Sequence, residues 1–262
     1  EEAAKRIQKE LENENIKIDI IKADVSKKAE VLAMISYVIE KYHRIDVLIN
    51  NAGISQERLF TDINDEEWNE IIDVNLNSVY YCTKAVIPYM IQRKSGCIIN
   101  ISSIWGVTGG SCEVGYSTSK AAIIGFSKAL AKEMGPSNIR INCIAPGIID
   151  TDMNKNLNEN DIEAIKEEIP LNRIGVSTDI AKCAKWLIED NYTDEYITEN
   201  WFANSVIDLI DWSYYNVKEN LSEGQRELLI NSLKENNFMD IYNNLKEKNL
   251  SDKDIANIIL LQ

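Results

Sequence analysis

Histidine, a frequent acid–base residue of enzymes, is almost missing from this sequence. Its 262 residues contain a single histidine, His43, in a polar segment that is expected to end a helix. A hydrolase with a Ser-His-Asp triad would have to use that one imidazole. We expect His43 to be a solvated helix terminus, so the proton donor of any active site has to be sought among other residue types.

Basic residues are also in short supply. The sequence has 28 Lys and Arg against 42 Asp and Glu, which gives a net charge of -14. Nucleic acids and anionic membranes are bound through clustered Lys and Arg, so neither is expected as a partner. No apolar run approaches the roughly 18 to 20 residues that cross a bilayer, and residues 1–6 lack the layout of a signal peptide. The composition favours a cytoplasmic protein that acts on a small molecule.

Cysteine is present, but not in a pattern that suggests a disulfide framework or a metal site. The odd number of cysteines and the lack of a C-x-x-C pair argue against both. We expect reduced and mostly buried thiols, and no bound metal. The five cysteines are Cys82, Cys97, Cys112, Cys143 and Cys183.

Apolar runs alternate with segments of helical period, which is typical of βαβ units and a parallel sheet. The runs are continuous rather than alternating, as expected when helices cover both faces of the sheet. Strands are predicted at residues 17–25, 45–52, 96–102 and 139–145. Helices are predicted at 27–41, 65–93, 116–134 and 178–189, the last with Ser177 as its N-cap. The fold class is therefore α/β, with a doubly wound parallel sheet.

Both ends of the sequence depart from this pattern. Residues 1–11 read as a helix that leads straight into the first predicted strand, with no earlier strand and no Gly-rich turn. Residues 213–262 are rich in Asn, Lys and Glu, and capping-box patterns start at Ser222 and Ser251. We expect an α/β domain over residues 1–212 that lacks its first strand–helix–strand unit, and a helical tail of unknown role over 213–262.

Three residues form a pattern with chemical meaning. Ser103 stands at the end of a predicted strand, and Tyr116 and Lys120 follow at the start of a predicted helix. Residues four apart share one helix face, so Lys120 can lie near the phenol of Tyr116. A nearby ammonium favours phenolate and lowers a tyrosine pKa. Ser103 could then hold a carbonyl oxygen while Tyr116 gives it a proton, and the carbon would receive a hydride from elsewhere.

With these residues in place, the sequence resembles the short-chain dehydrogenase/reductase family over about residues 1–198. Asn50-Asn51-Ala52-Gly53 is similar to the family's N-N-A-G, and Asp24-Val25 to its D-V. The resemblance implies a Rossmann-like fold and the catalytic residues Asn75, Ser103, Tyr116 and Lys120. It implies that the cofactor is bound by Asp24, Val25, Asn51, Ala52, Gly53, Tyr116, Lys120, Pro146, Gly147, Ile149 and Thr151.

The resemblance also gives several of these residues a role. Asn75 would hold a proton-relay water behind the lysine, and Asp24 would bind the adenine amino group. The backbone of Ile149 would meet the nicotinamide carboxamide, and Thr151 would lie beside the phosphates. The motifs also have plainer alternatives. Asn50 and Asn51 could simply terminate a strand, Asp24 could cap the next helix, and Pro146-Gly147 could be an ordinary turn.

The sequence departs from the family pattern at its start and near residue 198. The Gly-rich T-G-x-x-x-G-x-G turn that cradles a pyrophosphate does not occur, nor does the strand whose end selects between NAD and NADP. We therefore expect repacking, or unpaired strand edges beside an open cofactor groove. The family's T-G-Q is also replaced after Thr198, although residues 205–209 could still form the last strand.

The resemblance implies an enzyme that reduces a ketone or aldehyde with NADPH or NADH, with NADP favoured. It is closest to β-ketoacyl-acyl carrier protein reductases, so the substrate would be a small molecule or carrier-bound, and the protein a homotetramer or homodimer. The loop over residues 104–114 is also similar to the branch that reduces the aminopentanone modification on elongation factor P, which is a narrower hypothesis. Within this loop, Glu113 could contact a substrate amine or be a solvated carboxylate.

Two alternatives remain open from the sequence. A catalytically silent Rossmann-like interaction protein would explain the missing phosphate turn. A hydrolase built on Ser102 or Ser103 would need His43 as its base, although His43 lies at the far end of a helix.

Overall fold

A parallel sheet with helices on both faces forms the centre of the structure. The computed structural model describes residues 2–13, 16–155, 157–169 and 171–189. Strands β1 (Val47–Asn50), β2 (Gly96–Ile101) and β3 (Ile139–Ile144) lie side by side in that order. Strands β4 (Ile149–Asp150) and β5 (Gly175–Val176) form a separate short parallel pair.

The helices alternate with these strands, as the sequence pattern predicts. They are α1 (Glu2–Asn13), α2 (Lys28–Tyr42), α3 (Asp65–Ile72), α4 (Ser78–Arg93), α5 (Trp105–Thr108), α6 (Val114–Met134), α7 (Glu159–Glu168) and α8 (Ser177–Glu189). Short 3₁₀ turns lie at Phe60–Asp62, Gly135–Ser137 and Asp152–Asn154, and a π-helical turn lies at Asp73–Asn77.

Strand β2 shows why its apolar run is continuous. Ile98 faces a cluster with residues of α2 and α4, including Val31 and Val86. Its neighbour Ile99 faces the other way and packs with Leu187 of α8. Each fully buried side chain of this size contributes about 1.5 to 3 kcal/mol. The expected doubly wound α/β arrangement is confirmed for the described part of the chain.

The expected strand over residues 17–25 is not formed. Strand pairing needs a neighbouring strand, and none lies beside this segment within the described ranges. The segment instead attaches to α2 through side chains. Asp19 accepts hydrogen bonds from Lys41, at 2.5 Å, and from Tyr42, while Val25 packs against the core.

The predicted helix at residues 65–93 is one helical segment with an irregularity that the sequence did not reveal. It starts with a capping box between Asn64 and Glu67 and ends where Lys94 adopts a left-handed conformation. Between α3 and α4, five residues form the π-helical turn, and Asn75 lies within it. Such turns inside α-helices occur often at functional sites.

Several expectations concern other parts of the chain. The strand at 205–209, the helical tail at 213–262 and the boundary after residue 212 lie outside the described residues. The five cysteines are all free, and Cys82, Cys97 and Cys143 are buried, which agrees with the expectation of reduced thiols. In the part of the chain that the structure covers, no helix is both long enough and apolar enough to cross a membrane.

Candidate active site

The candidate site lies at the carboxyl ends of the three central strands. Asn51 follows β1, Ser102 follows β2 and Pro146 comes shortly after β3. The segments that follow β2 and β3 stay paired just beyond the sheet, where the Ser102 N–H donates a hydrogen bond to the Ile144 carbonyl at 2.7 Å. Open α/β sheets bind ligands at this edge.

Ser103 and Tyr116 meet there. The Ser103 hydroxyl lies close enough to the Tyr116 phenol to lower the pKa of that phenol. Both are buried, with 7% of Ser103 and 8% of Tyr116 exposed. The Ser103 oxygen also accepts a hydrogen bond from the Trp105 N–H at 3.2 Å, which holds the serine at the start of α5. Two hydroxyl groups therefore converge at a point where a carbonyl oxygen could be bound.

Lys120 lies one helical turn beyond Tyr116 on α6. Its Nζ is 5.6 Å from the centre of the Tyr116 ring and donates a hydrogen bond to the Ile101 carbonyl at 2.9 Å. Burial lowers the pKa of Lys120 to about 8, although the nearby Cys143 thiol acts in the opposite direction. At neutral pH this ammonium is still mostly charged, and it lies close enough to influence a phenolate.

The pKa of Tyr116 differs in direction from the sequence expectation. Burial raises it, the hydrogen bond with Ser103 lowers it, and the negative charge of Glu113 raises it again. The net direction is upward, because removal of the phenol from water outweighs the stabilisation of its anion. Tyr116 is therefore held as a neutral phenol, the form that can donate a proton.

Asn75 joins two parts of the site. Its Oδ1 accepts a hydrogen bond from the Ile54 N–H at 2.8 Å, and its Nδ2 donates to the Ile54 carbonyl at 2.9 Å. The same Nδ2 donates to the Ser119 hydroxyl at 3.1 Å. Ser119 in turn donates to the Tyr116 carbonyl at 2.7 Å. Asn75 thus connects the loop after β1 to the helix that carries Tyr116 and Lys120.

Ser119 and Ser102 were not singled out as positioning residues by the sequence reasoning. Ser102 donates from its hydroxyl to the Lys120 carbonyl at 2.8 Å and is buried. A methyl group added at Gly106 would approach the Lys120 carbonyl carbon to 2.7 Å and the Ser102 oxygen to 2.8 Å. Helix α5 can therefore pack directly against α6 only with glycine at this place. The spacing of Gly106 behind Ser102 is the only signal that the sequence offered.

The N-N-A-G segment lies beside the catalytic residues. A Cβ added at Gly53 would be 3.3 Å from both the Asn75 oxygen and the Lys120 Nζ. The two residues before it, Asn51 and Ala52, are exposed. The Gly53 backbone thus lies close to Asn75 and Lys120, and Asn50 is buried and bonded to Asn100 and Thr83.

Asp24 and Val25 have local contacts. The Asp24 carboxylate accepts hydrogen bonds from the N–H and hydroxyl of Ser26 and pairs with Lys27 at 3.0 Å. The bond with the Ser26 hydroxyl is the main cause that lowers the pKa of Asp24. These contacts form the turn that precedes α2, but Asp24 does not cap that helix, because the N-cap residue is Lys27 and it has no side-chain cap. Asp24 is exposed, so its carboxylate remains accessible.

The segment after β3 forms the opposite side of the site. Gly147 is exposed and has open space around it, and Thr151 is exposed as well. The Ile149 carbonyl accepts a hydrogen bond from the Asn154 side chain at 2.7 Å, while strand pairing with Gly175 fixes the backbone. Ile149 is thus held by its neighbours, and the P-G turn itself is open.

The hydrolase alternative loses its base in this structure. His43 is exposed at the carboxyl end of α2, before β1 begins. Ser103 follows the carboxyl end of β2. Because β1 and β2 are parallel, His43 lies at the amino ends of the strands and Ser103 at their carboxyl ends. Among the described residues there is also no group of three or more His, Cys, Asp or Glu side chains that could hold a metal ion.

Comparisons with known proteins agree with this architecture. Residues 1–162 match the family model described as short chain dehydrogenase. The chain is 49% identical to the 3-oxoacyl-(acyl-carrier-protein) reductase of Chlamydia trachomatis over 175 residues. These residues cover 67% of this chain and 70% of that protein. The reductase of the same name from Chlamydia muridarum is 44% identical over 199 residues, or 76% and 79% of the two chains.

A relative with lower sequence identity has the same name. The 3-oxoacyl-(acyl-carrier-protein) reductase of Thermotoga maritima is 38% identical over 190 residues, which cover 72% of this chain and 76% of that protein. The family resemblance inferred from the N-N-A-G and Y-x-x-x-K patterns is thereby confirmed. The chain belongs to the short-chain dehydrogenase/reductase family of NAD(P)-dependent oxidoreductases.

Proposed function

We propose that this chain reduces the carbonyl group of a ketone or aldehyde, on a small molecule or on a carrier, with NAD(P)H. The observation that carries the proposal is that Ser103, Tyr116 and Lys120 are buried together, with the Lys120 ammonium 5.6 Å from the centre of the Tyr116 ring. The similarity to proteins named 3-oxoacyl-(acyl-carrier-protein) reductase supports a β-keto group as the reacting carbonyl.

The proposed roles follow from the contacts. Ser103 and Tyr116 both donate hydrogen bonds to the substrate carbonyl oxygen, which orients the carbonyl and polarises it. When bound, NAD(P)H would supply the hydride that the carbonyl carbon needs. As negative charge develops on the oxygen, Tyr116 transfers its proton there. Lys120 stabilises the phenolate that remains, and its hydrogen bond to Ile101 keeps the ammonium in place.

The residues present fit the nicotinamide end of the cofactor. The backbone at Gly53 comes close to Lys120 and Asn75, and the exposed Asn51 and Ala52 continue that surface. Tyr116, Lys120 and the P-G turn at Pro146-Gly147, with Ile149 and Thr151 behind it, would form the other side. Asp24 and Val25 would lie at the adenine end. We favour NADP over NAD, and comparison of the KM values for NADPH and NADH tests this preference.

Asn75 has a supporting role in this proposal. Its side chain is fully engaged by Ile54 and Ser119. It fixes the π-helical turn behind Lys120, where the family resemblance expects a relay water. Its effect on the reaction would thus be transmitted through Ser119 and the helix that carries Tyr116.

The central experiment replaces the proposed acid. We expect Tyr116→Phe to reduce the rate of NADPH oxidation with a 3-oxoacyl thioester by about 10³-fold, because phenylalanine lacks the hydroxyl that is proposed to donate the proton. Tyr80→Phe is a matched control, since this tyrosine is exposed and its hydroxyl accepts a hydrogen bond from the neighbouring Lys84. Full activity of the Tyr116 variant would refute the assignment.

A second candidate is a Rossmann-like interaction protein without catalytic activity. Fluorescence titration with NADPH separates the two candidates, because binding at micromolar concentration contradicts a purely structural role. Sedimentation of the same sample tests the expected homodimer or homotetramer.

A further inference from the structure

Beneath the candidate site, a group of buried polar side chains links two strands to two helices. They are Asn50 at the end of β1, Thr83 on α4, Asn100 near the end of β2 and Ser127 on α6. None of the four is more than 9% exposed, and Asn100 is fully buried. Burying a polar group costs free energy unless it is hydrogen-bonded, so these side chains call for a role other than filling the core.

Their hydrogen bonds form a continuous chain. Asn50 Nδ2 donates to the Thr83 hydroxyl at 3.1 Å and to Asn100 Oδ1 at 2.8 Å. Asn100 Nδ2 donates to the Ser127 hydroxyl at 2.8 Å, and that hydroxyl donates to the Ile123 carbonyl at 2.8 Å. We call the Asn50–Thr83 bond the α4 arm of this chain and the Asn100–Ser127 bond its α6 arm.

The α6 arm ties strand β2 to helix α6. A second tie lies at the catalytic residues, where Lys120 Nζ donates to the Ile101 carbonyl at 2.9 Å and the Ser102 hydroxyl donates to the Lys120 carbonyl at 2.8 Å. Ser127 lies seven residues beyond Lys120, two turns further along the same helix face. Asn100, Ile101 and Ser102 are consecutive, so the end of one strand holds α6 at two points along its length.

Two ties restrict the helix more than one does. A helix held at one point can still rotate or slide about that point, whereas a second bond about 10 Å along the axis removes this freedom. The distance that matters in the site is the 5.6 Å between Lys120 Nζ and the centre of the Tyr116 ring. A misplacement of about 1 Å at the reacting groups costs about 100-fold in rate.

We propose that Asn100 is a positioning residue, which sets the place of the Lys120 ammonium beside Tyr116 by holding Ser127. The inference rests on the proposed carbonyl reduction and adds to it a residue that touches neither substrate nor cofactor. Loss of the α6 arm lowers kcat, whereas loss of the α4 arm lowers stability alone.

A double-mutant cycle tests this route. Asn100→Ala and Ser127→Ala are each expected to lower kcat for NADPH-dependent reduction of a 3-oxoacyl thioester by about 10- to 100-fold, with the KM for NADPH within about threefold. The double variant is expected to match Asn100→Ala, because both substitutions break the same bond. Losses that multiply in the double variant would show that Asn100 does not act through Ser127 and would overturn the proposal. Ser127→Ala is the milder change and serves alone where Asn100→Ala does not fold.

Thr83→Val is the matched control. It removes a hydroxyl from the same buried chain, since Thr83 is 1% exposed, but the bond that it breaks belongs to the α4 arm. We expect a lower melting temperature and a kcat within about twofold of the wild type. A kcat loss in Thr83→Val equal to that in Ser127→Ala would show a merely structural role and overturn the proposal. Full kcat in Ser127→Ala would overturn it as well.

A titration that needs neither cofactor nor turnover separates this inference from the proposed function. NMR of protein labelled with [ε-13C]lysine follows the pKa of Lys120, which burial lowers to about 8, and Lys120→Met assigns the signal. The Cys143 thiol nearby stays neutral in this range, because burial raises its pKa to about 11. In Ser127→Ala the pKa of Lys120 is expected to rise by about half a unit or more, because a loosened helix admits water to the ammonium.

The outcomes of this titration are distinct. A rise in Ser127→Ala that is not seen in Thr83→Val supports the positioning role even if the wild type reduces no ketone, and in that case only the proposed reduction fails. An unchanged pKa of Lys120 in Ser127→Ala overturns the positioning role, whatever the activity. An equal rise in both variants overturns it too, since the α4 arm would then matter as much as the α6 arm.

Discussion

The floor and the rim of the candidate site are built in different ways. We use site floor for Asn75, Ser102, Ser119 and Lys120, and site rim for residues 57–58 and 110–113. Each side chain of the floor is hydrogen-bonded to protein groups. On the rim, an oxygen of Glu113 has no partner within the described ranges, and Cys112 has a φ of 63°.

We expect the site floor to control the reaction rate and the site rim to control which substrates are accepted. A floor whose polar groups all have partners has one favoured geometry, which is what proton transfer at Tyr116 requires. On the rim, a carboxylate oxygen without a partner among the described residues can instead accept a hydrogen bond from a molecule that binds there. Floor variants should therefore change the rate for every substrate, whereas rim variants should change the choice among substrates.

The largest effect is expected when the floor loses its charge at Lys120. Lys120→Met should lower kcat by about 10³-fold, because the Tyr116 phenolate loses its counter-ion. The free energy of unfolding at pH 7 should rise by about 1 to 2 kcal/mol, because folding no longer buries an amine whose pKa is lowered to about 8. NADPH oxidation and urea unfolding measure the two effects.

The pH dependence of the same variant tests the direction of the Lys120 pKa shift. Between pH 8 and 10.5 the unfolded wild-type chain binds more protons at Lys120 than the folded chain does. Wild-type stability should therefore rise with pH across this window relative to the methionine variant. A variant that was less stable than the wild type at both pH 7 and pH 10 would contradict the argued cost of burying Lys120.

The next largest effect is expected at the link between loop and helix. Asn75→Ala leaves the Ile54 N–H and carbonyl without their side-chain partner and should cost about 2 to 4 kcal/mol of unfolding free energy. The matched control is Asn77→Ala, two residues along the same helical segment, where an exposed bond to Asp73 is lost. Chemical denaturation should show less than about 0.5 kcal/mol for the control.

A smaller effect is expected where α5 meets α6. Gly106→Ala places a methyl group 2.7 Å from backbone atoms of Lys120, so α5 must shift at a cost of about 1 to 3 kcal/mol. Gly125→Ala on α6 has open space and should be neutral or stabilising by up to about 1 kcal/mol, because alanine favours helices. Similar melting temperatures for both variants would be inconsistent with direct packing of the two helices.

The smallest effect is expected on the rim and depends on pH. The folded-state pKa of Glu113 is raised to about 7, so the folded chain binds more protons there than the unfolded chain between about pH 4.5 and 7. Wild-type stability is lost as the pH rises through this window. Glu113→Gln should equal the wild type in melting temperature near pH 4 and exceed it by roughly 2 to 4 °C at pH 8. Scanning calorimetry at the two pH values detects this, and a constant difference would rule out the titration.

The fold was predictable where it depends on apolar pattern. The runs near Val47, Gly96 and Ile139 were found as strands, because burial on both faces leaves a continuous signal in the sequence. Residues 17–25 carry the same signal, but a strand also needs a neighbour to accept its hydrogen bonds. Pattern alone says nothing about that neighbour, and this is why the fourth strand was wrong.

The site was predictable where it depends on spacing along one helix or at one sheet edge. Ser103, Tyr116 and Lys120 follow from such spacing, and their proposed roles stay predictions. The upward direction of the Tyr116 pKa was missed, because burial is a property of the whole fold. The unpaired oxygen of Glu113 was missed for the same reason, since it depends on how two loops pack together.

The contacts of Asn75 have a consequence for how the protein acquires its activity. They join residues 21 and 44 positions apart in the chain, so they form only when β1, the π-helical turn and α6 have come together. A partly folded chain would contain Tyr116 and Lys120 on a helix but would not hold that helix in register with the loop after β1. During refolding, activity should therefore return last, with the slowest phase of tertiary structure formation rather than with the recovery of helix content.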